Sequence, residues 1–510
     1  MYLELLLSCG YCKRDQQQKS PRAQQCHRSY IGGGFMYLYK IFRSQTGTGW
    51  CYDAVTNRMA GLKGMEDMET TKTIETTEGK GEVKPSCTAP SVLHIYLKDH
   101  GLIKETSVMK MEYRAGWEEY CRTLSCGASR LTLELTRRCN MRCSYCIYSG
   151  RYERERTHQD MAMPLETAKK AVRLFAEHST AVKAVCISFY GGEALLEFEK
   201  IRKIVSYAEK VFGDRAVYFH IATNGAALTE EVNHWLAENR SVMVDVTVNG
   251  YSHDRYRKFP DGRGSLDIIM GNLMKLKKSF PEVYSRQVNF ICNYAGGREL
   301  EQLRAYYEHV LSRPPALITG IEREGGDEYI RCLGQGREES GQEIYEKLRR
   351  AYIYEEDAFL RSLFDSEMTV IHKRSPEQLT GHMEIENCCF PFLTNIFVQA
   401  DGRLNLCEKA PYDMDMGSVD TGFDMAKTKG LMAEYLSVRN ARCPGCWAQR
   451  FCTICFKDIT ADGSSDQGSM DEKCKLMRDR IRDNLALYCT AAEEAPDKIK
   501  RYGRMEAAAV

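Results

Sequence analysis

The sequence predicts an α/β fold: a partial (β/α)6 barrel with an N-terminal α+β module before it and a cysteine-rich C-terminal domain after it. Three observations predict this. Short apolar runs alternate with amphipathic helical stretches from residue 131 to 322. Residues able to carry chemistry stand directly after these runs. Cysteines gather in CNMRCSYC at 139–146 and again between 388 and 474.

Taken in order, residues 1–35 are polar, basic and Gln-rich, without periodicity. They are expected to be unstructured. The IGGGF stretch reads as a purine-rich ribosome-binding sequence translated by mistake, so synthesis is expected to begin at Met36. MYLYKIF and GWCYDAV predict two strands around the turn TGTG, with NRMAGL a third. Residues 64–90, rich in Thr, Glu and Lys, predict a mobile excursion. VLHIYLKDHGL has helical periodicity and stops at Gly101. His94 and His100 flank that helix and are expected in solvent.

The alternation then begins. LTLEL predicts a strand, PLETAKKAVRLFAEHS a helix opened by Pro164, and KAVCISF a strand. FEKIRKIVSYAEKVF predicts a helix, VYFHIA a strand, LTEEVNHWLAE a helix and VMVDVTV a strand. SLDIIMGNLMKLKKSF, QVNFIC, RELEQLRAYYEHVLS and ALITGI continue the pattern. Six strands with five crossover helices predict a parallel sheet, too few for a closed eight-strand barrel. Beyond 322 comes a charged helical stretch, interrupted at SGQ. The tail from 388 lacks long periodic segments, so metal is expected to help hold it together. The expected divisions are 1–35, a module at 36–130, the core at 131–325, a helical bridge at 326–385, a cysteine-rich domain at 386–490 and a tail at 491–510.

Lys+Arg number 71 against 70 Asp+Glu. That balance gives no electrostatic case for nucleic acid or an anionic membrane as partner. No run of about 18 apolar residues predicts a membrane-spanning helix. The N-terminus, with a short apolar run and no basic start, is a poor signal peptide. The expected location is cytoplasmic, where 22 cysteines are metal ligands or reduced thiols rather than disulfides.

The candidate site sits on loops that follow the strands. Cys139 follows the first, Gly191, Gly192 and Glu193 the second, Asn224 the third, Asn249 the fourth and Asn293 the fifth. In parallel α/β folds the carboxyl ends of strands carry the active site. Cys139, Cys143 and Cys146 are spaced C-x3-C-x2-C, one ligand short of a tetrahedral zinc site or a fully ligated 4Fe–4S cluster. Three thiolates hold three irons of a cubane and leave the fourth open to a ligand with an amine and a carboxylate. The methionine end of S-adenosylmethionine is such a ligand. Gly191 and Gly192 would allow close backbone approach. Glu193 would accept from the ammonium, Tyr145 would face the adenine and Arg257 would pair with the carboxylate.

The C-x3-C-x2-C spacing, GGEALL and the TNG turn resemble the radical S-adenosylmethionine (radical SAM) superfamily. VTVNGYSHDRYR is similar to that family's S-x-D-G-x-x-x-x-H-D-x-x-R segment. Ala194 stands where proline is usual, and Thr247 and Asn249 replace Ser and Asp. The resemblance implies reductive cleavage of S-adenosylmethionine, with electrons from a flavodoxin or ferredoxin. The tail resembles the SPASM extension, which implies two auxiliary 4Fe–4S clusters. By that pattern Cys443, Cys446, Cys452 and Cys474 hold the distal cluster, and Cys389, Cys407 and Cys455 the proximal one. Cys388 adjoins Cys389, and one of the two is expected to ligate. A zinc ribbon is the bland alternative for these cysteines. Cys186 and Cys292, in strands, are expected to be packing residues.

LTLELTRRCN and CSYCIYSGRYERERTHQDMAM resemble maturases that form thioether links in cysteine-rich ribosomal peptides. This implies a precursor peptide as partner, with 36–125 as its recognition domain. Glu408 stands directly after Cys407, where sulfatase maturases carry an Asp that acts as base, and that resemblance implies Glu408 as a base here. An anaerobic sulfatase-maturating enzyme is the alternative. A non-catalytic, cluster-bearing peptide carrier is a third reading, against which the intact cysteine triad argues.

Overall fold

The computed structural model describes residues 35–62, 92–107, 110–113, 116–152, 156–321, 340–379, 381–385, 388–460 and 467–504. The expectations for residues 1–34 and 64–90 fall outside these. The N-terminal strands are β1 (Phe35–Tyr37), β2 (Tyr39–Arg43), β3 (Gly49–Asp53) and β4 (Arg58–Gly61). β2, β3 and β4 form an antiparallel sheet around the TGTG turn. β1 pairs instead with β5 (Glu105–Ser107). The helix Val92–Asp99 follows the expected periodicity. His94 is not in solvent: it is buried, bonded to Tyr39 Oη at 3.0 Å and set edge-on against Tyr37.

After β6 (Lys110–Glu112) come the six core strands: β7 (Arg130–Thr136), β8 (Ala184–Gly191), β9 (Ala216–Thr223), β10 (Val242–Thr247), β11 (Val288–Tyr294) and β12 (Leu317–Gly320). They pair in parallel, in sequence order, as the alternation predicts. In β10, Val242, Val244 and Val246 are buried while Met243, Asp245 and Thr247 are half-buried. The first set packs under the helices and the second faces the open concave side.

The sheet is larger than expected. After β13 (His382–Glu384), β14 (Asn395–Val398) adds in parallel to β7, and β15 (Leu404–Asn405) turns back against β14. A six-strand sheet would leave a row of unpaired N–H and C=O groups along β7, and β14 covers them. The tail also differs from expectation. It holds helices Met425–Arg442 and Gln467–Glu494, and it shares one apolar core with the barrel. Their apolar periodicity is masked by charges on the exposed faces. The bridge helix Ser340–Tyr354 begins in SGQ instead of breaking there, and the break falls before Ala358–His372.

The N-terminal strands are wedged into this C-terminal part. β6 pairs with β13, and Trp50 Nε1 donates to Glu493 at 2.6 Å. Arg450 donates to the carbonyls of Ala54 and Val55. No helix among the described residues is long and apolar enough to cross a membrane.

Candidate functional site

The loop carrying Cys139, Cys143 and Cys146 leaves the carboxyl end of β7 and runs beside residues 256–258. Arg142 N donates to Lys258 O at 2.7 Å, and Ser144 N to Tyr256 O at 2.9 Å. Met141 anchors the loop in the core. Backbone amides of Met141 and Tyr148 approach the sulfurs of Cys139 and Cys146, each at 3.4 Å. Burial pushes the thiol of Cys139 up to about 12 and that of Cys146 to about 11. The protein alone therefore keeps these thiols neutral, and a bound metal would reverse that by favouring thiolate.

Tyr145 is a hub. Its hydroxyl accepts from Arg257 Nη1 at 2.9 Å, Asn249 Nδ2 at 3.1 Å and Asn293 Nδ2 at 3.3 Å. One phenol thus joins the cysteine loop to the loops after β10 and β11. Asn249 Oδ1 accepts from Asn293 N, and Asn224 Nδ2 donates to Asn140 Oδ1 at 2.7 Å. His253 fixes the Asn249 turn by accepting from Asn249 N, while its other nitrogen bonds Ser265 Oγ. Burial disfavours the charge of Arg257, yet its pKa is raised, with Tyr145 the strongest opposing partner, and the guanidinium stays charged.

The glycine pair is also required by the packing of the chain itself. A Cβ on Gly191 would lie 2.2 Å from Thr136 O, and one on Gly192 2.2 Å from Arg138 O. The pair is needed for β8 to pass over the backbone of β7 where the cysteine loop begins. Glu193 is also engaged within the protein: it accepts from Leu195 N, Thr223 Oγ1 and Asn224 N. It locks the second rim loop to the third.

The C-terminal cysteines lie at two places. Cys443, Cys446, Cys452 and Cys474 line one cavity of about 580 Å³ of empty space, part of it open to solvent, together with Arg439, Arg442 and Arg478. Arg439 is 3% exposed and its Nη1 lies 3.7 Å from Cys452 Sγ. Cys407 and Cys455 lie within electrostatic reach of each other, and Cys389 within reach of Glu408. Burial, and after it the Glu408 charge, pushes the Cys407 thiol up to about 11. Cys388 turns the other way: its sulfur accepts from Tyr435 Oη at 3.6 Å, on the side of Arg439 and Cys452. Glu408 is half-buried, and its carboxylate bears on Tyr190 and Cys389. Cys292 is buried in the core, and Cys186 bonds Ser188, as packing residues do.

The donor set suits iron–sulfur groups. Arg257 Nε, Ser144 Oγ and Arg439 Nε are buried without a partner beside the thiols. Four thiolates around a cluster add negative charge, and the guanidiniums supply its counterpart.

Residues 133–294 match the sequence profile of the Radical SAM superfamily. Together with the thiol loop at the rim of a parallel sheet, this settles the core. It is a radical SAM domain. An uncharacterized protein of Methanocaldococcus jannaschii is 31% identical over 156 residues, covering 30% of this chain and 50% of the relative. A cysteine-type anaerobic sulfatase-maturating enzyme of Clostridium novyi (strain NT) is 29% identical over 146 residues, 28% of this chain and 38% of the relative. The chain thus spans half or less of the length of these relatives. A solved structure described as native anSMEcpe with bound AdoMet and Cp18Cys peptide superposes with a TM-score of 0.52 at 17% identity. It covers 74% of this chain and 99% of its own, so the fold is shared well beyond the radical SAM domain.

Sequence reasoning missed Glu134, Arg156, Tyr435 and Arg439. Glu134 had a signal: a lone carboxylate inside LTLELT, where a buried strand reads apolar. The other three had none: Arg156 bonds Glu408 across 252 residues, and Tyr435 and Arg439 meet their partners only once the chain turns back after the helix that carries them.

Proposed function

We propose that the chain is a radical SAM maturase that modifies a ribosomally made, cysteine-rich precursor peptide, forming a thioether link. One observation carries most of this: three thiols held on one loop at the sheet's rim, with a second cysteine-lined cavity in the domain that extends the same sheet. When bound, the cluster and S-adenosylmethionine supply a 5′-deoxyadenosyl radical that takes a hydrogen atom from the substrate. The chain's residues do the rest. Cys139, Cys143 and Cys146 would hold the radical-forming cluster, the Tyr145 hub would orient Arg257, Asn249 and Asn293 toward the cofactor, and Asn224 would be held there through Asn140. Cys443, Cys446, Cys452 and Cys474 would hold one auxiliary cluster, and Cys389, Cys407 and Cys455 another.

The orientation of Cys388 toward Tyr435 supports Cys389 as the proximal ligand. It leaves that cluster one protein thiol short, a place for a substrate cysteine. Glu408, beside Cys389 and Cys407, is positioned to accept the proton of such a thiol. The N-terminal strands would bind the peptide's leader, and a flavodoxin or ferredoxin would supply electrons.

Anaerobic reconstitution followed by reduction with dithionite tests the reading. The wild type is expected to convert S-adenosylmethionine to 5′-deoxyadenosine. Replacing Cys139, Cys143 and Cys146 together by Ala is expected to abolish this while retaining iron in the C-terminal clusters. Retained cleavage would remove the assignment. A second reading, formylglycine formation on a sulfatase, is favoured by the kinship with the Clostridium enzyme. A small cysteine-rich reading frame beside the gene supports the first reading, and a sulfatase gene the second. Glu408→Gln is expected to lower product but not 5′-deoxyadenosine.

A further inference from the structure

Glu134 lies in β7, is 0% exposed and faces none of the rim ligands. The β7–β8 register shifts between Glu134 and Thr136, so the chain is irregular where the carboxylate leaves it. Four groups from two separate parts of the protein converge on it. From the cysteine loop come Arg137, whose Nη2 lies 3.3 Å from Oε2, and Tyr148, whose hydroxyl donates to Oε1 at 2.6 Å. Arg137 stands two residues before Cys139 and Tyr148 two residues after Cys146, so the carboxylate grips both ends of the loop. Arg156, 1% exposed, brings Nε to 3.2 Å from Oε1. From the C-terminal part comes the backbone N–H of Ala400, donating to Oε2 at 2.9 Å.

Ala400 sits in the turn between β14 and β15, and β15 leads directly to Cys407. Two further links follow the same line. Arg156 Nη1 donates to Glu408 O at 2.7 Å, on the residue after Cys407. Arg137 bonds the hydroxyl of Tyr412, with its guanidinium 4.2 Å from that ring's centre. Tyr412 in turn accepts from Arg403 at 2.6 Å. The partners lie about 250 to 275 residues apart in sequence. A buried carboxylate between two guanidiniums holds its geometry firmly, because loss of any partner leaves a charge unpaired away from water.

We propose that Glu134 is a positioning residue that sets the distance between the radical-forming cysteine loop and the proximal auxiliary cysteines. It touches neither thiols nor substrate and acts through Arg137, Tyr148, Arg156 and Ala400. This rests on the radical-maturase reading for its functional meaning, although the mechanical coupling stands without it. The chemistry needs such a brace: a substrate held at the proximal cysteines must present one carbon to a radical formed at the other loop, and a displacement of about 1 Å can cost a hundredfold in rate.

Two measurements on the full-length protein test it. The first is amide hydrogen exchange of the metal-free chain. In Glu134→Gln, exchange in residues 137–148 and 399–412 is expected to accelerate together, on the order of a hundredfold, with the other barrel strands little changed. The second uses the reduced, reconstituted protein with S-adenosylmethionine as the only added probe. The magnetic dipolar interaction between the radical cluster and the proximal cluster is expected to change in Glu134→Gln. Arg156→Lys, which keeps the charge but cannot span Glu134 and Glu408 O, should change it in the same direction. Uniform loss of protection over the whole chain, or an unchanged dipolar interaction in both variants, overturns the proposal. A wild type that holds no iron–sulfur cluster refutes the radical reading instead, and the exchange experiment then still decides whether Glu134 couples the two segments.

Discussion

The two cysteine regions are built on opposite plans. At the rim, most polar side chains bond one another: the Tyr145 hydroxyl accepts three donors, and Glu193 accepts three more. In the C-terminal domain, four cysteines and three arginines line one cavity. The rim is preorganised by the protein's own hydrogen bonds. If these cysteines hold a cluster as proposed, the stability of the C-terminal cavity is expected to depend on the metal far more.

The largest expected contrast comes from Arg439→Ala. If the cavity cysteines hold a cluster as proposed, removing the buried guanidinium beside Cys452 is expected to cost about 3–5 kcal/mol in the loaded protein, and to lower the iron retained at the C-terminal site. Denaturation midpoints and iron analysis check it, and a loss confined to the metal-free chain would contradict the plan described. Gly191→Ala comes next. Its Cβ would meet Thr136 O, and φ of 133° is strained for any side chain, so roughly 2–4 kcal/mol is expected with or without metal.

Tyr145→Phe leaves three donors without their acceptor. A loss of about 1–2 kcal/mol is expected, with weaker binding of S-adenosylmethionine by calorimetry and unchanged iron at the C-terminal site. The smallest effect is pH-dependent. Burial, and then Arg257, lowers the pKa of His253 to about 3. The unfolded chain takes up a proton near pH 6.5, which the folded chain resists. Its contribution is therefore complete above about pH 6.5 and declines by about 1.4 kcal/mol per unit as pH falls toward 3. The difference between wild type and His253→Gln in urea melts at pH 7 and pH 5.5 measures it.

Some of this was readable from residues alone because it is local. The strand–helix alternation from 131 to 322 needs only neighbouring positions, and so do the rim loops that follow each strand. The C-x3-C-x2-C loop and the C-terminal cysteine spacing are local in the same sense. The glycine pair was found, but the backbone it must clear belongs to another strand, so its reason could not be read. What tertiary structure decided lies in contacts far apart in the chain. β14 closes the open edge of β7 across roughly 265 residues, because a row of unpaired backbone groups must find a partner wherever the chain offers one. The two adjacent cysteines Cys388 and Cys389 are alike in sequence, and only Tyr435 on one side and Glu408 on the other tell them apart. Glu134 likewise is one carboxylate in a strand until folding brings two guanidiniums, a phenol and an amide to it, since a buried charge persists only where the fold gathers enough partners around it.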